Sequence, residues 1–444
     1  MLWLALELPS LPLQIVERAG AAPDALVIAE GPAQRPVVAC ANAAARAMGV
    51  RDGQAVAAAK AIAGNLRIVA RDPHAEKETL ERLAAWAGQF TPMASVETQG
   101  ISLEVEPSLR LFGGHARLAA AVRQGVRELG LRAALGIAPT PLAARLFARA
   151  AAQGIRARGC LMLEDLETRL ADLPLFLLDW PQRTLARLAD LGILRMRDAL
   201  ALPAEGLARR FGPEIADSLA RLVGRSADPR VPYAAPPRFR SRLELPCEAE
   251  GVDAIAFALR RMLAELEGAL RGRGAGAQRI ALTLEHVRRA HTRVALEFAS
   301  PEREADFILA IAREKLARIE LPAPTIALAL AADALVPRAS RASSWLPGER
   351  EQALERERLV ERLAARLGRD RVYGIALADD HRPGRDWEKG RGPFSRKGEG
   401  ASRHGEKGIR PLFLLKRPQR LVTEAGMPTL QGALGIAAGP ERIE

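Results

Sequence analysis

The apolar positions of residues 1–152 change repeatedly between the spacing typical of strands and the spacing typical of helices. Short apolar or alternating runs predict strands at 2–8, 25–29, 37–41, 66–70 and 132–137. Amphipathic spacing predicts helices at 11–19, 43–48, 54–63, 73–88, 116–129 and 141–152. A hairpin-like pair of strands is predicted at 95–105 and 108–112. This alternation predicts an α/β or α+β body.

The pattern becomes almost wholly helical over residues 163–232, where Pro and Gly separate short helices. Gly192 and Ile193 stand between two short apolar helices in Leu185–Leu202, which is the outline of a helix-hairpin-helix. In that motif the tight turn directs backbone N–H groups at a DNA phosphate. Because Leu-Gly-Ile also ends many ordinary helices, the turn is either a phosphate contact or a plain helix end.

A Pro-rich stretch, 224–237, predicts a linker, and a βαββαβ pattern follows it. The predicted elements are strand 238–245, helix 253–271, strands 279–287 and 292–298, helix 302–318 and strand 325–331. In the first of these strands, the period of two places Arg238, Arg240 and Arg242 on one face. That face is either a track for DNA phosphates or the solvated edge of a sheet protected by charge.

The regular pattern weakens after about residue 336. A helix dense in Glu and Arg is predicted at 347–367, and a strand at 372–377. Residues 382–410 are Gly-rich, charged and almost without aliphatic side chains, which predicts disorder or a mobile loop.

The chain of 444 residues carries a net charge of +12 with a pI of about 10.4, which favours polyanionic partners such as DNA. An Ala- and Arg-rich composition alone also produces such a charge, so the placement of the arginines matters more than their number. Arg288 and Arg289 form a basic tip at the predicted hairpin turn, which either touches the DNA backbone or is simply solvated.

Three widely spaced cysteines, Cys40, Cys160 and Cys247, indicate neither a disulfide framework nor a zinc site and suit a reducing cytoplasm. The apolar start of the chain lacks a basic segment and a cleavage site, which predicts a first strand and not a signal peptide. No apolar run reaches the roughly 18–20 residues that cross a bilayer. We expect a cytoplasmic, nucleoid-associated protein.

Two stretches of the sequence resemble the Y-family DNA polymerases: Leu2–Glu17 (LWLALELPSLPLQIVE) and Val96–Gly114 (VETQGISLEVEPSLRLFGG). In active members the first carries Asp-x-Asp and the second an Asp-Glu pair, and these carboxylates hold two metal ions about 4 Å apart. Here the matching positions read Leu8-Pro9-Ser10 and Gln99-Gly100. Neutral side chains do not replace an aspartate cluster as ligands for Mg²⁺. The resemblance therefore implies a polymerase-shaped body without a metal site or other cofactor, which is not an enzyme.

The segment Val38–Arg51 (VACANAAARAMGVR) resembles the fingers segment of that family. The Tyr that contacts the incoming triphosphate in active members corresponds to Ala43, whereas the following arginines are kept as Arg46 and Arg51.

The segment Gly136–Arg145 (GIAPTPLAAR) resembles a second family motif, Gly-Ile-x-x-Asn-Lys-x-x-Ala-Lys. The phosphate-contacting Lys corresponds to Pro141, and Arg145 stands for the last Lys. The resemblance implies that Arg145, with the two fingers arginines, is the remnant of a nucleotide site.

The resemblance covers about residues 1–335 and implies the palm, fingers, thumb and little-finger order of the family, an α+β multi-domain architecture. The segments expected are a palm-like body at 1–30 and 71–162, fingers at 31–70 and a helical thumb with the helix-hairpin-helix at 163–232. They continue with a βαββαβ little finger at 238–335 and a C-terminal region at 336–444, with disorder at 382–410.

Particular wording in the chain, including SLRLFGG at 108–114 and ARRFGPE at 208–214, is similar to the non-catalytic Y-family members of bacterial mutagenesis cassettes. That resemblance implies a role in SOS-induced translesion synthesis and mutagenesis, as a scaffold on primer–template DNA. The implied protein partners are the β sliding clamp, a RecA-like protein (ImuA) and an error-prone DnaE-type polymerase. The clamp-binding peptide is not identified, since the sequences at Gln419 and Gln431 match it poorly.

Relatives usually continue beyond the position of Glu444 into an aromatic, partner-binding tail, so the C-terminus is either native or truncated. Two other functions stay open. The chain is an active Y-family polymerase if displaced carboxylates such as Glu7 or Glu104 hold metal, although we interpret both as surface residues or residues behind the ligands. It is an interaction protein without a DNA role if its basic charge is only compositional.

Overall fold

The computed structural model of the chain describes residues 1–18, 24–338, 349–377, 387–390, 422–425 and 427–429. The chain divides into two compact units, residues 1–346 and 347–444. The residues around Gln419 and Gln431 lie outside the described ranges. No helix within those ranges is long and apolar enough to cross a membrane.

The first unit alternates strands and helices before and after an all-helical stretch, which confirms the predicted α+β, multi-domain architecture. Its described strands are β1 Trp3–Glu7, β2 Leu26–Glu30, β3 Val37–Ala41, β4 Arg67–Ala70, β5 Ala94–Val96, β6 Gly100–Glu104, β7 Ala134–Ala138, β8 Phe239–Ala249, β9 Ala275–His286, β10 Arg289–Glu302, β11 Thr325–Ala332 and β12 Leu335–Pro337. Its described α-helices are α1 Leu11–Glu17, α2 Ala43–Ala47, α3 Val56–Ile62, α4 Pro73–Ala87, α5 Leu109–Phe112, α6 His115–Glu128, α7 Pro141–Ala152, α8 Leu166–Leu170, α9 Gln182–Asp190, α10 Met196–Leu200, α11 Ala204–Phe211, α12 Pro213–Leu222, α13 Val252–Gly272 and α14 Ala305–Leu316.

Strands β5, β6, β1 and β7 form a central antiparallel sheet in that order. All five residues of β1 are buried. Successive side chains of a strand point to opposite faces. Leu4, Leu6 and Leu8 accordingly pack in a core with α4 and α6, whereas Trp3 and Ala5 pack in a core with α7 and the helices that follow it. Burial on both faces explains why this strand is an almost continuous apolar run.

Helices α4 and α7 begin where the sequence supplies an N-cap followed by proline. The Asp72 carboxylate accepts from the backbone N–H groups of His74 and Ala75, and the Thr140 hydroxyl accepts from the Ala143 N–H. Proline is favoured at the first helical position because its missing N–H has no intrahelical partner there. Local chemistry therefore fixes both starts, which agree with the predicted ones.

A separate three-stranded sheet has the order β3-β2-β4, with β2 antiparallel to β3 and parallel to β4. We call it the small sheet. The sequence placed β2 in the 1–30 part of the palm-like body, and this assignment is wrong because β2 pairs with strands of the 31–70 segment. A strand's sheet is decided by its hydrogen-bonding partners, which the local pattern does not reveal.

The hairpin predicted over 95–105 and 108–112 is only half correct. Strands β5 and β6 form a hairpin within its first part, but 108–112 is helical and contains α5. Pro107 cannot donate to a strand ladder, and Leu109 and Phe112 contact the core at the helical spacing of three. Four or five apolar residues are too few for periodicity to separate strand from helix.

The all-helical stretch predicted at 163–232 is present as α8 to α12, and it packs on α7 through a shared core. Gly192 lies between α9 and α10 with φ of 77°, so the predicted helix–turn–helix outline is present. We call residues 166–222 the helical segment.

A second sheet, with the order β10-β9-β11-β8 and with β12 beside β9, contains the predicted βαββαβ pattern. Its strands extend beyond the predicted bounds, because the period-two pattern fades at each end while the ladder continues. Leu282, Leu284 and Leu328 are fully buried on the face covered by α13 and α14. The other face is open to solvent.

Helix α13 is buried on two sides, since it also packs against α4. The first unit therefore stacks in layers: the second sheet, then α13, then α4, then the central sheet, then α7 with the helical segment. The open face of the second sheet and the helical segment are the outer layers of this stack.

The second unit contains helix α15 Glu349–Leu367, the strand pair β13 Gly374–Leu377 and β14 Trp387–Gly390, and the pair β15 Val422–Glu424 and β16 Met427–Thr429. The predicted helix and strand agree with α15 and β13. Disorder was predicted across 382–410, and this is wrong at 387–390, where β14 pairs with β13. The rest of that range lies outside the described residues.

The register of β1 and β6 depends on glycine at position 100. Gly100 pairs with Glu7, and a Cβ atom at this position would overlap the carbonyl oxygen of Leu6. Any side chain at position 100, including a carboxylate, therefore requires β6 to move away from β1. The backbone at position 100 therefore leaves no room for a carboxylate side chain.

We expect Gly100→Ala to lower the free energy of unfolding by about 2–3 kcal/mol, since overpacking a well-packed core costs about that much. Urea unfolding followed by circular dichroism measures the change. The matched control is Gly206→Ala in α11, where a Cβ meets nothing within 4 Å. There the substitution should be neutral or stabilising by up to about 1 kcal/mol. Equal stability of the two variants would show that β6 approaches β1 less closely.

Candidate functional site

The positions aligned with metal ligands gather where β1 ends and β6 begins. The Leu8 N–H donates to the Gln99 carbonyl oxygen at 2.8 Å, and Gly100 pairs with the last residue of β1. Leu8 is fully buried in the core with α4 and α6, Gln99 is exposed, and Ser10 precedes α1 with φ of 53°. None of these four residues carries a carboxylate.

The carboxylate at this end of the sheet belongs to Glu7, which is 4% exposed. Its Oε1 lies 3.3 Å from the Nε of Arg149 on α7. The sequence left Glu7 as either a surface residue or a residue behind the ligands, and the surface alternative is wrong because Glu7 is buried on the face of β1 that packs against α7. Glu104, the other candidate, ends β6 four residues beyond Gly100, or roughly 13 Å away along the strand.

Arg149 connects the central sheet to the helical segment. Besides Glu7, its guanidinium contacts the Asp179 carboxylate at 2.6 Å and donates to the Leu177 carbonyl oxygen at 3.0 Å. Three contacts from one planar fork fix the position of the 177–179 backbone relative to α7.

Arg145, one turn earlier on α7, extends the same connection. Its guanidinium contacts Asp179 at 3.1 Å and Glu97, on the β5–β6 turn, also at 3.1 Å. Arg230 of the Pro-rich stretch contacts Glu97 at 3.2 Å and Asp228 at 2.8 Å. The contacts form a continuous chain, and we call this set the arginine cluster: Glu7, Glu97, Asp179, Asp228, Arg145, Arg149 and Arg230.

Burial and charge act in opposite directions within the arginine cluster. Burial raises the pKa of the Glu7 carboxyl above its ordinary value, and the charges of Arg149 and Arg145 offset this only in part. Burial also acts to raise the pKa of Asp179, but hydrogen bonds and charge from Arg149 and Arg145 outweigh it, so the pKa of Asp179 is lowered. The arginines thus keep Asp179 ionised.

The cluster leaves little coordination capacity for a divalent cation. Within the described ranges, no group of three or more His, Cys, Asp or Glu side chains is arranged to hold a metal ion. The carboxylates of Glu7 and Glu97 already accept from guanidinium groups, and a cation would have to displace those arginines. The arrangement is suited to tying three segments together electrostatically.

The three arginines that the sequence assigned to a remnant nucleotide site lie beside two different sheets. Arg145 belongs to the arginine cluster beside the central sheet. Arg46, on α2 of the small sheet, contacts Asp52 at 2.9 Å, and Arg51 is exposed in the loop that follows α2. The charge of Arg46 and the charge of Arg145 are therefore both balanced by carboxylates.

The open face of the second sheet carries arginines at its two sides and small residues between them. One row of side chains runs across the four strands: Arg242 of β8, Ala329 of β11, Thr283 of β9 and Arg293 of β10. Arg240 aligns through Ala331 and Ala281 with Ala295 in the neighbouring row.

The outer strands β8 and β10 are separated by three strand spacings of about 4.8 Å each, so their side chains on this face lie about 14 Å apart. That separation is close to the width of the DNA major groove, about 12 Å. The small residues between the rims let a polymer approach the sheet closely.

The predicted alternation of the β8 arginines is correct for Arg240 and Arg242, whereas Arg238 precedes the strand. Arg242 is the least available, because its Nε and Nη2 donate to the two carboxylate oxygens of Glu285 at 2.9 and 2.8 Å and its Nη1 donates to Glu244 at 2.8 Å. Arg240 has only a loose contact with Asp333 at 3.6 Å and is 64% exposed.

Two arginines on the same open face were missed by the sequence interpretation. Arg279 is 72% exposed, and Arg293 is also exposed. The alternation of buried Ile280, Leu282 and Leu284 contained the signal, since it places the odd-numbered residues of β9 and their β10 partners on the other face.

The turn at Gly192 has the predicted shape, but its backbone N–H groups already donate hydrogen bonds to nearby residues of the same segment. The Gly192 N–H donates to the Ala189 carbonyl oxygen, the Ile193 N–H donates to that of Leu188, and the Arg195 N–H donates to the Asp198 carboxylate. A phosphate at this turn would have to replace such bonds, so the geometry favours the open face of the second sheet as the stronger DNA contact.

Arg288 and Arg289 lie where the sequence predicted, at the β9–β10 turn. Both are exposed, and Arg288 has φ of 51° at the second position of the two-residue turn. The tip continues the edge of the open face.

Residues 16–149 match the model of the impB/mucB/samB family. This range contains α7 up to Arg149, and therefore the two helix arginines of the cluster.

The chain is similar to curated proteins over most of its length. It is 27% identical over 417 residues to Protein ImuB of Caulobacter vibrioides, in each of two strains, covering 89% of this chain and 88% of the relative. It is 30% identical over 194 residues to DNA polymerase IV of Desulfatibacillum aliphaticivorans, covering 42% of this chain and 47% of the relative. The matches to Protein ImuB confirm the resemblance to a Y-family member that was stated from the sequence.

Solved structures also align with the chain. The crystal structure of DinB from Sulfolobus solfataricus aligns with a TM-score of 0.43 and 17% identity, covering 76% of this chain and all of that one. The insertion ternary complex of Dbh DNA polymerase aligns with a TM-score of 0.44 and 18% identity, covering 76% of this chain and 99% of that one.

We expect Arg149→Met to lower the free energy of unfolding by about 3 kcal/mol, because it leaves the buried Glu7 carboxylate without its partner. Adding Glu7→Gln to Arg149→Met should recover most of this loss. A double-mutant cycle by urea unfolding measures the coupling. The control is Arg132→Met, whose pair with Glu17 is at the surface and should contribute less than about 1 kcal/mol. A coupling near zero would contradict the buried contact.

The raised pKa of Glu7 predicts the pH dependence of Glu7→Gln. The folded chain binds the proton of the Glu7 carboxyl more tightly than the unfolded chain does. Ionisation of Glu7 therefore lowers the free energy of unfolding as the pH rises above 4.5, the ordinary pKa of a glutamate. The free energy of unfolding of the parent protein, minus that of Glu7→Gln, should therefore fall from pH 4.5 upward and then level off above the folded pKa. Unfolding curves at a series of pH values measure this difference. A difference that rises with pH would contradict the assignment.

Proposed function

We propose that this chain is a polymerase-shaped, DNA-binding protein that does not catalyse nucleotide addition. In the proposed assignment, the central sheet with α1 and α4–α7 is a palm, and residues 26–70 with the small sheet are fingers. The helical segment is a thumb, and residues 239–337 with the second sheet are a little finger. The chain would act as a scaffold in SOS-induced translesion synthesis and mutagenesis.

The observation that carries the proposal is the arginine cluster at the end of the palm sheet. Two-metal nucleotidyl transfer needs carboxylates that are free to coordinate both ions. Here Gly100 leaves no room for a side chain, Leu8 points into the core, and the Glu7 carboxylate is bound by Arg149. The carboxylates of Glu7 and Glu97 are held in ion pairs by Arg149 and Arg145, which a metal ion would have to replace.

DNA binding is supported by the open face of the little finger. Its rims carry Arg240 and Arg242 on one side and Arg293 on the other, with Arg279 in a neighbouring row. Contacts of this kind neutralise backbone phosphates without reading bases. The basic tip at Arg288 extends the same face, and the overall charge of +12 acts in the same direction.

The cellular role is proposed from the resemblance to Protein ImuB. It consists of recruitment of an error-prone DnaE-type polymerase to primer–template DNA, with the β sliding clamp and the RecA-like protein ImuA as further partners. The site of action would be the nucleoid.

We expect the protein to bind primer–template DNA with an affinity that falls steeply with salt, and to extend no primer with Mg²⁺ or Mn²⁺. The double variant Arg240→Ala/Arg293→Ala should weaken binding and reduce the slope of log K against log salt by about 0.9 for each phosphate that is no longer neutralised. Fluorescence anisotropy across a salt series and a primer-extension gel on the same sample measure both properties.

The matched control is Arg313→Ala, on the helical side of the same domain, where Arg313 pairs with Asp253 at 2.6 Å. It should leave the salt slope unchanged. Extension above a mock-purified sample, abolished by Glu7→Ala, would overturn the proposal in favour of an active polymerase with displaced ligands. A complete lack of DNA binding would favour a protein that acts only through protein contacts.

A further inference from the structure

The little finger docks on the back of the palm through a buried charge network. Glu265 of α13 is 2% exposed, and its two carboxylate oxygens contact Arg18 at 2.8 Å and Arg82 at 2.9 Å. The Ser241 hydroxyl of β8 donates to the same carboxylate at 3.1 Å. The Arg18 Nε also donates to the Leu129 carbonyl oxygen at 2.8 Å, so the network is well satisfied with hydrogen bonds.

Around this network the two helices meet through glycine. A Cβ at Gly268 of α13 would overlap the indole of Trp86 on α4, and a Cβ at Gly272 would lie against the backbone of Gly88. The apolar core beneath α4 receives the small Ala264 from α13, and the indole of Trp86 is buried at the contact. The interface therefore combines a buried ion network and glycines with one large aromatic side chain, Trp86. Interfaces between domains that move relative to each other have this polar character.

The layered stack creates a conflict with the proposed function. The open face of the little finger looks away from the palm, and α13 and α4 lie between the two sheets. At about 10 Å for each layer spacing, the little-finger sheet is roughly 30 Å from the palm sheet. A duplex on the open face cannot also touch the thumb, which lies beyond the opposite face of the palm.

We propose that Glu265, Arg18 and Arg82 form a latch that holds the little finger in a docked, DNA-free arrangement, and that primer–template binding releases it. The inference rests on the proposed DNA binding. The hinge would lie between Tyr233 and β8. Tyr233 is held to the palm by its N–H, which donates to the Ala94 carbonyl oxygen at 2.7 Å, and residues 234–238 after it form no helix or strand before β8 begins.

Distance measurements between two spin labels test the latch. One label replaces Arg123 on the palm helix α6 (Arg123→Cys), and the other follows α14 of the little finger (Glu320→Cys). Both positions are exposed and lie away from the open face. The exposed native cysteine is first removed by Cys247→Ser. Anisotropy on the same samples reports DNA binding independently of the distances.

We expect one narrow distance in the free protein and a shifted distance when primer–template DNA is saturating. Glu265→Gln, which removes the charge, and Gly268→Ala, which wedges the helices apart at Trp86, should each populate the shifted distance without DNA. Both should also tighten DNA binding several-fold, because a larger fraction of the protein is already competent. Arg313→Ala, which removes a surface pair of the same domain, should change neither readout.

An unchanged distance in protein that anisotropy shows to be fully bound would overturn the latch, since the docked arrangement would then be the working one. Unchanged distances in both Glu265→Gln and Gly268→Ala would overturn it as well. The two variants act by charge and by shape, so unfolding of one leaves the other decisive. If no DNA binds, the proposed function fails, while the distances in the DNA-free variants still decide whether the latch exists.

Discussion

The pairing of arginine with buried carboxylate is the interaction on which the first unit of this protein depends. Arg149 and Arg145 reach from α7 to the end of the central sheet and to the helical segment, and Arg230 of the Pro-rich stretch joins them through Glu97. Glu265 does the same between α13 and α4. A buried carboxylate that loses its partner is costly, so each of these pairs stabilises one mutual arrangement of its segments for as long as the carboxylate stays buried.

The arginine cluster and Gly100 act together at the end of the central sheet. Guanidinium groups on α7 supply positive charge to the carboxylates of Glu7 and Glu97. Gly100 permits β6 to approach β1 at a place where any side chain would hold the strands apart. Under the proposed function, a metal site here would need both a wider separation of the strands and carboxylates released from arginine.

The sequence predicted most elements because their patterns are local. The caps at Asp72 and Thr140, the double burial of β1 and the alternation in β9 all appear within a few neighbouring residues. The failures are non-local or too short to carry a period. The helical turn at 109–112 is too short to carry a period, whereas the sheet to which β2 belongs, the strand at 387–390 and the burial of Glu7 each depend on a partner elsewhere in the chain. Arg279 and Arg293 were visible in the alternation, but their place beside Arg240 required the strand order.

The arginine cluster and the Glu265 network differ in the side chains that surround them, and this difference affects how easily the segments that each network joins can separate. The arginine cluster is flanked by the core shared by α7 and the helical segment, whose buried residues include Phe147 and Leu170. The Glu265 network is flanked by glycines and by a single large aromatic, Trp86. Separating the first pair of segments exposes a hydrophobic core, which opposes it strongly, whereas separating the second exposes mostly groups that water solvates well. We therefore expect the proposed palm and thumb to move as one body, and the proposed little finger to be the part of the first unit that changes its position.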